Sequence, residues 1–293
     1  MKKNMGKFMK PFAVIMAVST SLVGISFAIP QIVSADAVEK PYLSLGADLS
    51  SEEKSTVLRL LDVDAEDLED YELVTVTNQD EHDYLDNYLS SSVIGSRALS
   101  SVLIEKKSDG NGIHVKTKNI TYCTEGMYQS ALSTAGITDA DVTVAGPFNI
   151  TGTAALVGAM MAYEDMTGEA IDSETKDTAT NELVVTGSLA EELGDSDEAE
   201  KLIAMLKEYV AEKDLSDADS INDAIDECEK ELNIQLTEEQ QEQINELMQK
   251  ISNIDINVDE LKEQAKEIYD KLGNLHIEID SKGFFDMIKE FIQ

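Results

Sequence analysis

Two short polar stretches carry the side chains best suited to ligand binding or catalysis. The first contains Asn78, Asp80 and Glu81, directly after a β-rich run. An amide and two carboxylates at this spacing could hold a hard cation such as Ca²⁺, or act as an acid and base pair. The competing interpretation is structural: Asn78 or Asp80 caps the following helix, with negative charge near its positive end. The pattern favours the helix cap.

The second stretch contains Asn149, Thr151, Gly152 and Thr153, between a short apolar strand and a long apolar helix. Backbone N–H groups at a helix start, with a glycine and two threonine hydroxyls, could hold a small anion or a carbonyl group. The stretch has no phosphate-loop lysine, and Pro147 supplies no N–H donor. We therefore favour a capped buried helix, in which Thr151 accepts hydrogen bonds from the first N–H groups.

Recognisable catalytic signatures are missing from the sequence. Its histidines, His82, His114 and His276, lie in distant segments, and no Gly-x-Ser-x-Gly elbow occurs. The sequence therefore predicts neither a hydrolase triad nor a zinc site. We predict no catalytic residue, no cofactor and no metal centre, and favour a non-enzymatic protein. A hydrolase that uses carboxylates alone, such as Asp80 and Glu81, leaves no local motif and stays open as an alternative.

The segments around these stretches predict an α+β fold, with a small mixed sheet packed with helices. Short β-rich runs predict strands at 42–45, 73–77, 102–104, 113–117 and 139–145. The two runs on either side of Asp109-Gly110-Asn111-Gly112 predict a β-hairpin. Ser50 with Glu53 predicts a capping box, and the apolar run from Thr153 to Met161 predicts a buried helix. The run Val184-Val185-Thr186-Gly187 weakens a later helix and could break it.

From Asp195 onward the chain becomes acidic and helical, which divides it into an α+β domain over 36–194 and a helical region over 195–293. The second region ends in an amphipathic helix from Phe284 to Ile292. We expect this helix to pack on its own domain, although a membrane surface or a partner groove would also accept it. For Cys123 and Cys228 we favour two unpaired thiols over one disulfide.

Residues 1–35 have the pattern of a secretory signal peptide. Four lysines precede an apolar run from Phe12 to Phe27. Small residues precede Asp36, where a signal peptidase would cut. An uncleaved membrane anchor is the alternative, because the apolar run is long for a signal. Cleavage would give a secreted protein, extracellular or at the cell surface, without stable membrane insertion.

The acidic composition limits the partners of the chain. Its formal net charge is −35, and removal of the leader, which carries four lysines and no acidic residue, lowers the charge to −39. Such a surface repels phosphate backbones and anionic lipid headgroups, so we expect no nucleic-acid partner. The same surface attracts cations, which keeps a calcium-binding role open as a second alternative.

Five motifs in the first two thirds of the chain carry a family resemblance: Ser44–Leu49, Val76–Glu81 with Tyr84-Leu85, Ile94-Gly95 before Ala98–Val102, Gly146–Leu156 followed by Ala162–Glu164, and Glu182–Leu189. They resemble the YpuA-like extracellular proteins of Gram-positive bacteria, which carry domain of unknown function 1002, over about Tyr42 to Gly194. The resemblance implies export and an uncharacterised role, with no catalytic residues to carry over. The leading expectation is a secreted, non-enzymatic binding protein with an extracellular or cell-envelope partner.

Overall fold

The computed structural model describes residues 40–168 and 170–254, followed by positions 256, 258–259, 261–262, 265–266 and 268. Three predictions lie outside the described residues: the signal peptide over 1–35, the segment of His276, and the amphipathic helix from Phe284 to Ile292. The described residues form an α+β fold with one mixed sheet, which confirms the predicted fold class.

The strands agree with the predicted β-rich runs, and several helices begin at predicted positions. The strands are β1 (Tyr42–Gly46), β2 (Glu72–Val76), β3 (Ser101–Lys106), β4 (Ile113–Ile120) and β5 (Ala140–Ile150). The helices are α1 (Ser51–Leu60), α2 (Asn78–Leu85), α3 (Ser91–Ile94), α4 (Glu125–Thr134), α5 (Thr153–Thr167), α6 (Ser173–Leu193), α7 (Ser196–Lys213), α8 (Ala218–Leu232) and α9 (Glu238–Asn253). The predicted capping box of Ser50 and Glu53 begins α1.

The strand order is β2-β1-β3-β5-β4, so the predicted hairpin of β3 and β4 is wrong. β5 lies between them, antiparallel to β3 and parallel to β4. The start of β5 lies beside the turn, where the Asp139 carboxylate accepts hydrogen bonds from the N–H groups of Asn111 and Gly112 at 2.7 and 3.0 Å. A glycine-rich turn is therefore compatible with strands that are second neighbours as well as with a tight hairpin.

Helices cover both faces of the sheet. Leu43 and Leu45 of β1 pack with α1 on one face, and Val102 and Ile104 of β3 face α4 and α5 on the other. The predicted apolar helix is α5, and it is buried from Thr153 to Met160. α5 approaches the sheet closely at Gly158, where an added Cβ would lie 2.2 Å from the Ser44 hydroxyl.

Helix α6 is continuous, so the expected break near Gly187 does not occur. An added Cβ at Gly187 would lie 2.5 Å from the Tyr122 hydroxyl. The glycine is there because a tyrosine from the chain before α4 packs directly against the helix. A missing side chain at a close contact and a helix-breaking signal look the same in a sequence.

Helices α7, α8 and α9 form a second apolar cluster with the end of α6. A buried ion pair joins this part to the sheet-covering helices: Lys207 Nζ of α7 lies 2.7 Å from Glu182 Oε1 of α6. The lysine also donates to the hydroxyls of Ser130 and Thr134 on α4 at 3.0 and 2.8 Å. The division of the chain at 194 stays a prediction, and these contacts cross it.

Both cysteines are free and buried, as predicted. Burial raises the pKa of both thiols, that of Cys123 to about 12, so neither is a reactive thiolate. Among the described residues, no helix combines the length and the apolar character needed to cross a membrane.

Candidate functional site

The two polar stretches predicted from the sequence meet in space. The Thr153 hydroxyl at the start of α5 donates a hydrogen bond to Glu81 Oε1 of α2 at 2.7 Å. Both side chains are almost completely buried, with 1% of Glu81 and 2% of Thr153 exposed. A residue from the predicted cation group and one from the predicted ligand-binding group therefore belong to one site.

Glu81 lies on the buried face of α2, and the N-cap of this helix precedes both predicted capping residues. Thr77 is the N-cap, which corrects the assignment to Asn78 or Asp80. The Asp80 carboxylate turns back and accepts hydrogen bonds from the Thr77 N–H and hydroxyl at 2.8 and 2.6 Å. With Asp80 closing the cap, Glu81 is left on the face of α2 that packs against α5.

The N-cap of helix α5 is Gly152, which corrects the assignment of the cap to Thr151. Gly152 has a left-handed backbone with φ of 104°, and its carbonyl accepts a hydrogen bond from the buried Tyr128 hydroxyl. The Ser100 hydroxyl, from a distant segment, accepts a hydrogen bond from the Ala155 N–H at 2.9 Å and so caps the first turn of α5. The Thr151 carbonyl instead accepts the Cys123 N–H at 3.1 Å.

A wide bulge in β5 brings an aromatic side chain to this site. Lys118 of β4 pairs with Ala145, and Ile120 pairs with Ile150, so residues 146–149 lie opposite one residue of β4. Phe148 lies in this bulge and is 50% exposed. Bulges that redirect a side chain are common next to functional sites.

These elements enclose a cleft with a volume of about 320 Å³. Polar groups on its lining come from α2, the loop after α3, and the start of α5, and apolar groups come from α3, the loop after it, β5 and α5. The residues that matter below are Glu81, Arg97, Ser100, Phe148, Ile150 and Thr153. Of the predicted ligand-binding residues, Thr151, Gly152 and Thr153 line the cleft, whereas Asn149 is exposed beside it.

The charges around the cleft are unequal in number. Burial raises the pKa of Glu81, and hydrogen bonds from Thr153 and Asn78 offset part of that shift. Arg97 on the rim forms an ion pair with Glu53 at 2.7 Å, and this contact lowers the pKa of Glu53 to about 2. The Asp48 carboxylate accepts the Ala98 N–H at 2.8 Å next to this pair. The cleft and its rim therefore contain one guanidinium, of Arg97, and three carboxylates, of Glu53, Asp48 and Glu81.

The predicted cation group does not converge on one point. Asp80 faces Thr77, whereas Asn78 Nδ2 donates to Glu81 Oε2 at 3.2 Å. Across the described part of the chain, no group of three or more His, Cys, Asp or Glu side chains is placed to hold a metal ion. Asp80 and Glu81 also point in different directions, so they do not face a common substrate as an acid and base pair would.

Sequence reasoning missed three residues of the cleft: Arg97, Ser100 and Phe148. Arg97 and Ser100 belong to a segment without a clear helical or strand pattern, and only the fold brings them to α5. Phe148 had a weak signal, because Gly146-Pro147 before it interrupts an apolar strand. That signal indicated an irregularity but not the direction of the aromatic ring.

Comparisons with known proteins agree with the resemblance seen in the motifs. The sequence model described as "Protein of unknown function (DUF1002)" matches residues 45–268. The uncharacterized protein YpuA of Bacillus subtilis is 38% identical over 265 residues, which cover 90% of each chain. No solved structure matches the chain. The family match includes α7, α8 and α9 as well as the sheet, and the chain therefore belongs to the DUF1002 family.

Proposed function

We propose that the chain is an exported, non-enzymatic binding protein that acts outside the cell or at its surface, with the cleft beside α5 as its binding site. Export is supported by the lysine-led apolar leader and the small residues before Asp36. The acidic composition supports a soluble body that stays apart from nucleic acid and anionic lipid.

The observation that carries the binding role is Phe148 at the mouth of the cleft. Half of this large apolar side chain is exposed next to a cavity with polar groups on its lining. Ligand sites combine apolar surface with a few placed polar groups, and Phe148, Arg97 and Ser100 supply this combination. A ring held out by a bulge makes no large contribution to the core, which supports a role in recognition.

A carboxylate hydrolase remains the alternative, and one observation favours it. Burial raises the pKa of Glu81, as is usual for a catalytic acid. The partner that the sequence suggested, Asp80, is engaged in the cap of α2. The alternative therefore predicts loss of hydrolysis of cell-wall material in Glu81→Gln, and the binding role predicts no hydrolysis by the wild type.

The export proposal is tested with the complete coding sequence in a Gram-positive host. We expect the protein in the culture medium or on the cell surface, with Asp36 at its N-terminus by Edman or mass-spectrometric sequencing. Full-length protein held in the cytosol with its leader uncut would contradict the proposal.

The binding role is tested by capture from cell-wall fractions on immobilised protein. Wild type and Leu73→Ala should retain the same component, whereas Phe148→Ala should lose it. Leu73 is the matched control, because it is 51% exposed but lies on β2 outside the cleft. Equal capture by both variants would show that the binding site lies outside the cleft. No capture by the wild type would argue against the binding role.

A further inference from the structure

We propose that the cleft binds an alkylammonium group, specifically a lysine side chain of a peptide or protein partner. The proposal rests on the proposed function and names the ligand class of the same cleft. It follows from three features of the described residues: a buried carboxylate without an ion pair, an acidic surrounding, and an apolar entrance.

The first feature is that Glu81 forms no ion pair among the described residues. Its titratable neighbour His82 pairs instead with Asp86, at 2.6 Å. Three other half-buried or buried carboxylates do have a lysine within ion-pair distance: Glu182 has Lys207, Glu164 has Lys176 and Asp177 has Lys250, at 2.7 to 2.9 Å. In the part of the chain that the structure describes, the hydrogen-bond donors to Glu81 are the neutral Thr153 and Asn78. A carboxylate taken out of water is stabilised most by a cation, and a ligand could supply that cation.

The second feature is the charge around the cleft. Arg97 is the cation on the lining, and its guanidinium is already paired with Glu53. Glu81 and the nearby Asp48 remain, so the site as a whole is anionic. The chain as a whole is also strongly acidic, which raises the local concentration of cations and opposes anionic ligands. Both the local and the overall charge select a positively charged ligand.

The third feature is the order of the groups from mouth to floor. Phe148 is half exposed, Ile150 is partly buried, and Glu81 is buried. A ligand that satisfies this order has an apolar stem and a charged end. A lysine side chain has four methylenes that pack along apolar surface and an ammonium group at the tip. An ammonium group carried directly on a sugar ring does not have such a stem.

The test is isothermal titration calorimetry of the purified chain with an end-blocked tetralysine peptide at about physiological ionic strength, where diffuse attraction is screened. The same peptide with every lysine acetylated is the neutral control, and a glucosamine tetramer tests the other source of ammonium groups. The protein variants are Glu81→Gln and Phe148→Ala in the cleft, with Asp83→Asn and Leu73→Ala as matched controls. Asp83 is an exposed carboxylate on the same helix, so Asp83→Asn removes the same charge away from the cleft.

We expect tetralysine to bind wild type, Asp83→Asn and Leu73→Ala equally, and at least about tenfold more weakly to Glu81→Gln and Phe148→Ala, about 1.4 kcal/mol. Equal weakening by Asp83→Asn and Glu81→Gln would overturn the proposal, because diffuse attraction would then explain binding. Equal binding of the acetylated peptide, or binding of the glucosamine tetramer alone, would also overturn it. If tetralysine does not bind while capture of the cell-wall component still depends on Phe148, the ligand class is wrong and the binding function stands.

Discussion

Two glutamates in this molecule are almost equally buried but have different surroundings. Glu182 lies between α4, α6 and α7, and its carboxylate contacts Lys207 and the hydroxyls of Ser130 and Thr134. Glu81 lies at the cleft and accepts hydrogen bonds from neutral donors. The first site is closed and electrically balanced, whereas the second is negative and borders an open space.

This difference separates a structural polar group from a candidate for function. A buried carboxylate that is paired and fully hydrogen-bonded fixes how elements pack, and its oxygens have no hydrogen-bonding capacity left for a ligand. A buried carboxylate at a cavity, with a raised pKa and no ion pair among the described residues, can still bind a ligand. Burial alone does not distinguish the two cases, but the charge of the contacts does.

The largest expected effect is on the balanced site. Lys207→Met should lower the free energy of unfolding by about 3–5 kcal/mol, because it leaves the Glu182 carboxylate buried without its cation. Urea unfolding at neutral pH measures the change. Replacing both partners, in Glu182→Leu with Lys207→Met, should recover part of the loss. Lys230→Met is the control, because Lys230 is 69% exposed in its pair with Glu227 and should change stability by less than about 0.5 kcal/mol. An equal loss in both lysine variants would contradict the contrast.

A smaller loss is expected when Glu81 loses a donor. Thr153→Val keeps the shape of the side chain but removes the hydroxyl, so we expect a destabilisation of about 1–3 kcal/mol in urea unfolding. Thr56→Val is the matched control, because the Thr56 hydroxyl is exposed and donates to the Glu52 carbonyl of its own helix. An equal loss of unfolding free energy in the two variants would contradict a special role for the buried Thr153 hydroxyl.

The pH dependence of stability should reflect the buried position of Glu81. The pKa of Glu81 is higher in the folded chain than its ordinary value of 4.5, so the folded state binds more protons and the contribution of Glu81 falls as pH rises above that value. Glu81→Gln should therefore gain stability relative to wild type between about pH 4 and pH 7. Urea unfolding across this range is the measurement, with Asp83→Asn as the control. A flat or falling difference for Glu81→Gln would contradict the assignment.

The smallest effect is expected at the mouth of the cleft. Phe148→Ala and Leu73→Ala should each change the free energy of unfolding by less than about 0.5 kcal/mol, because both side chains are half exposed. Thermal unfolding of the pair checks this expectation. A large loss confined to Phe148→Ala would show that the ring supports the bulge, and the binding data on that variant would then need a second substitution.

Local patterns predicted many elements because their causes are local. Ser50 and Glu53 begin a helix through two hydrogen bonds within four residues, and the apolar run from Thr153 can only be buried. The hairpin failed for the opposite reason. Its turn contains the glycines of a tight hairpin, but β5, far along the chain, pairs with both strands, and Asp139 before it binds the turn.

The candidate site was half predictable on the same grounds. The sequence marked Glu81 as a carboxylate after a strand and Thr153 as a hydroxyl at a helix start, and both are local properties. It could not show that the two side chains touch, or that Arg97, Ser100 and Phe148 join them, because those contacts span many residues.

The sequence by itself determined the acidic character of the chain, its strands and main helices, and the family to which its motifs point. Only the tertiary structure decided the strand order, the cap of α5 and the contrast between Glu81 and Glu182. Hydrogen-bonding capacity and apolar periodicity are properties of single segments. The surroundings of a buried charge depend instead on which distant segments pack against it, and that is settled by the packing of the whole chain.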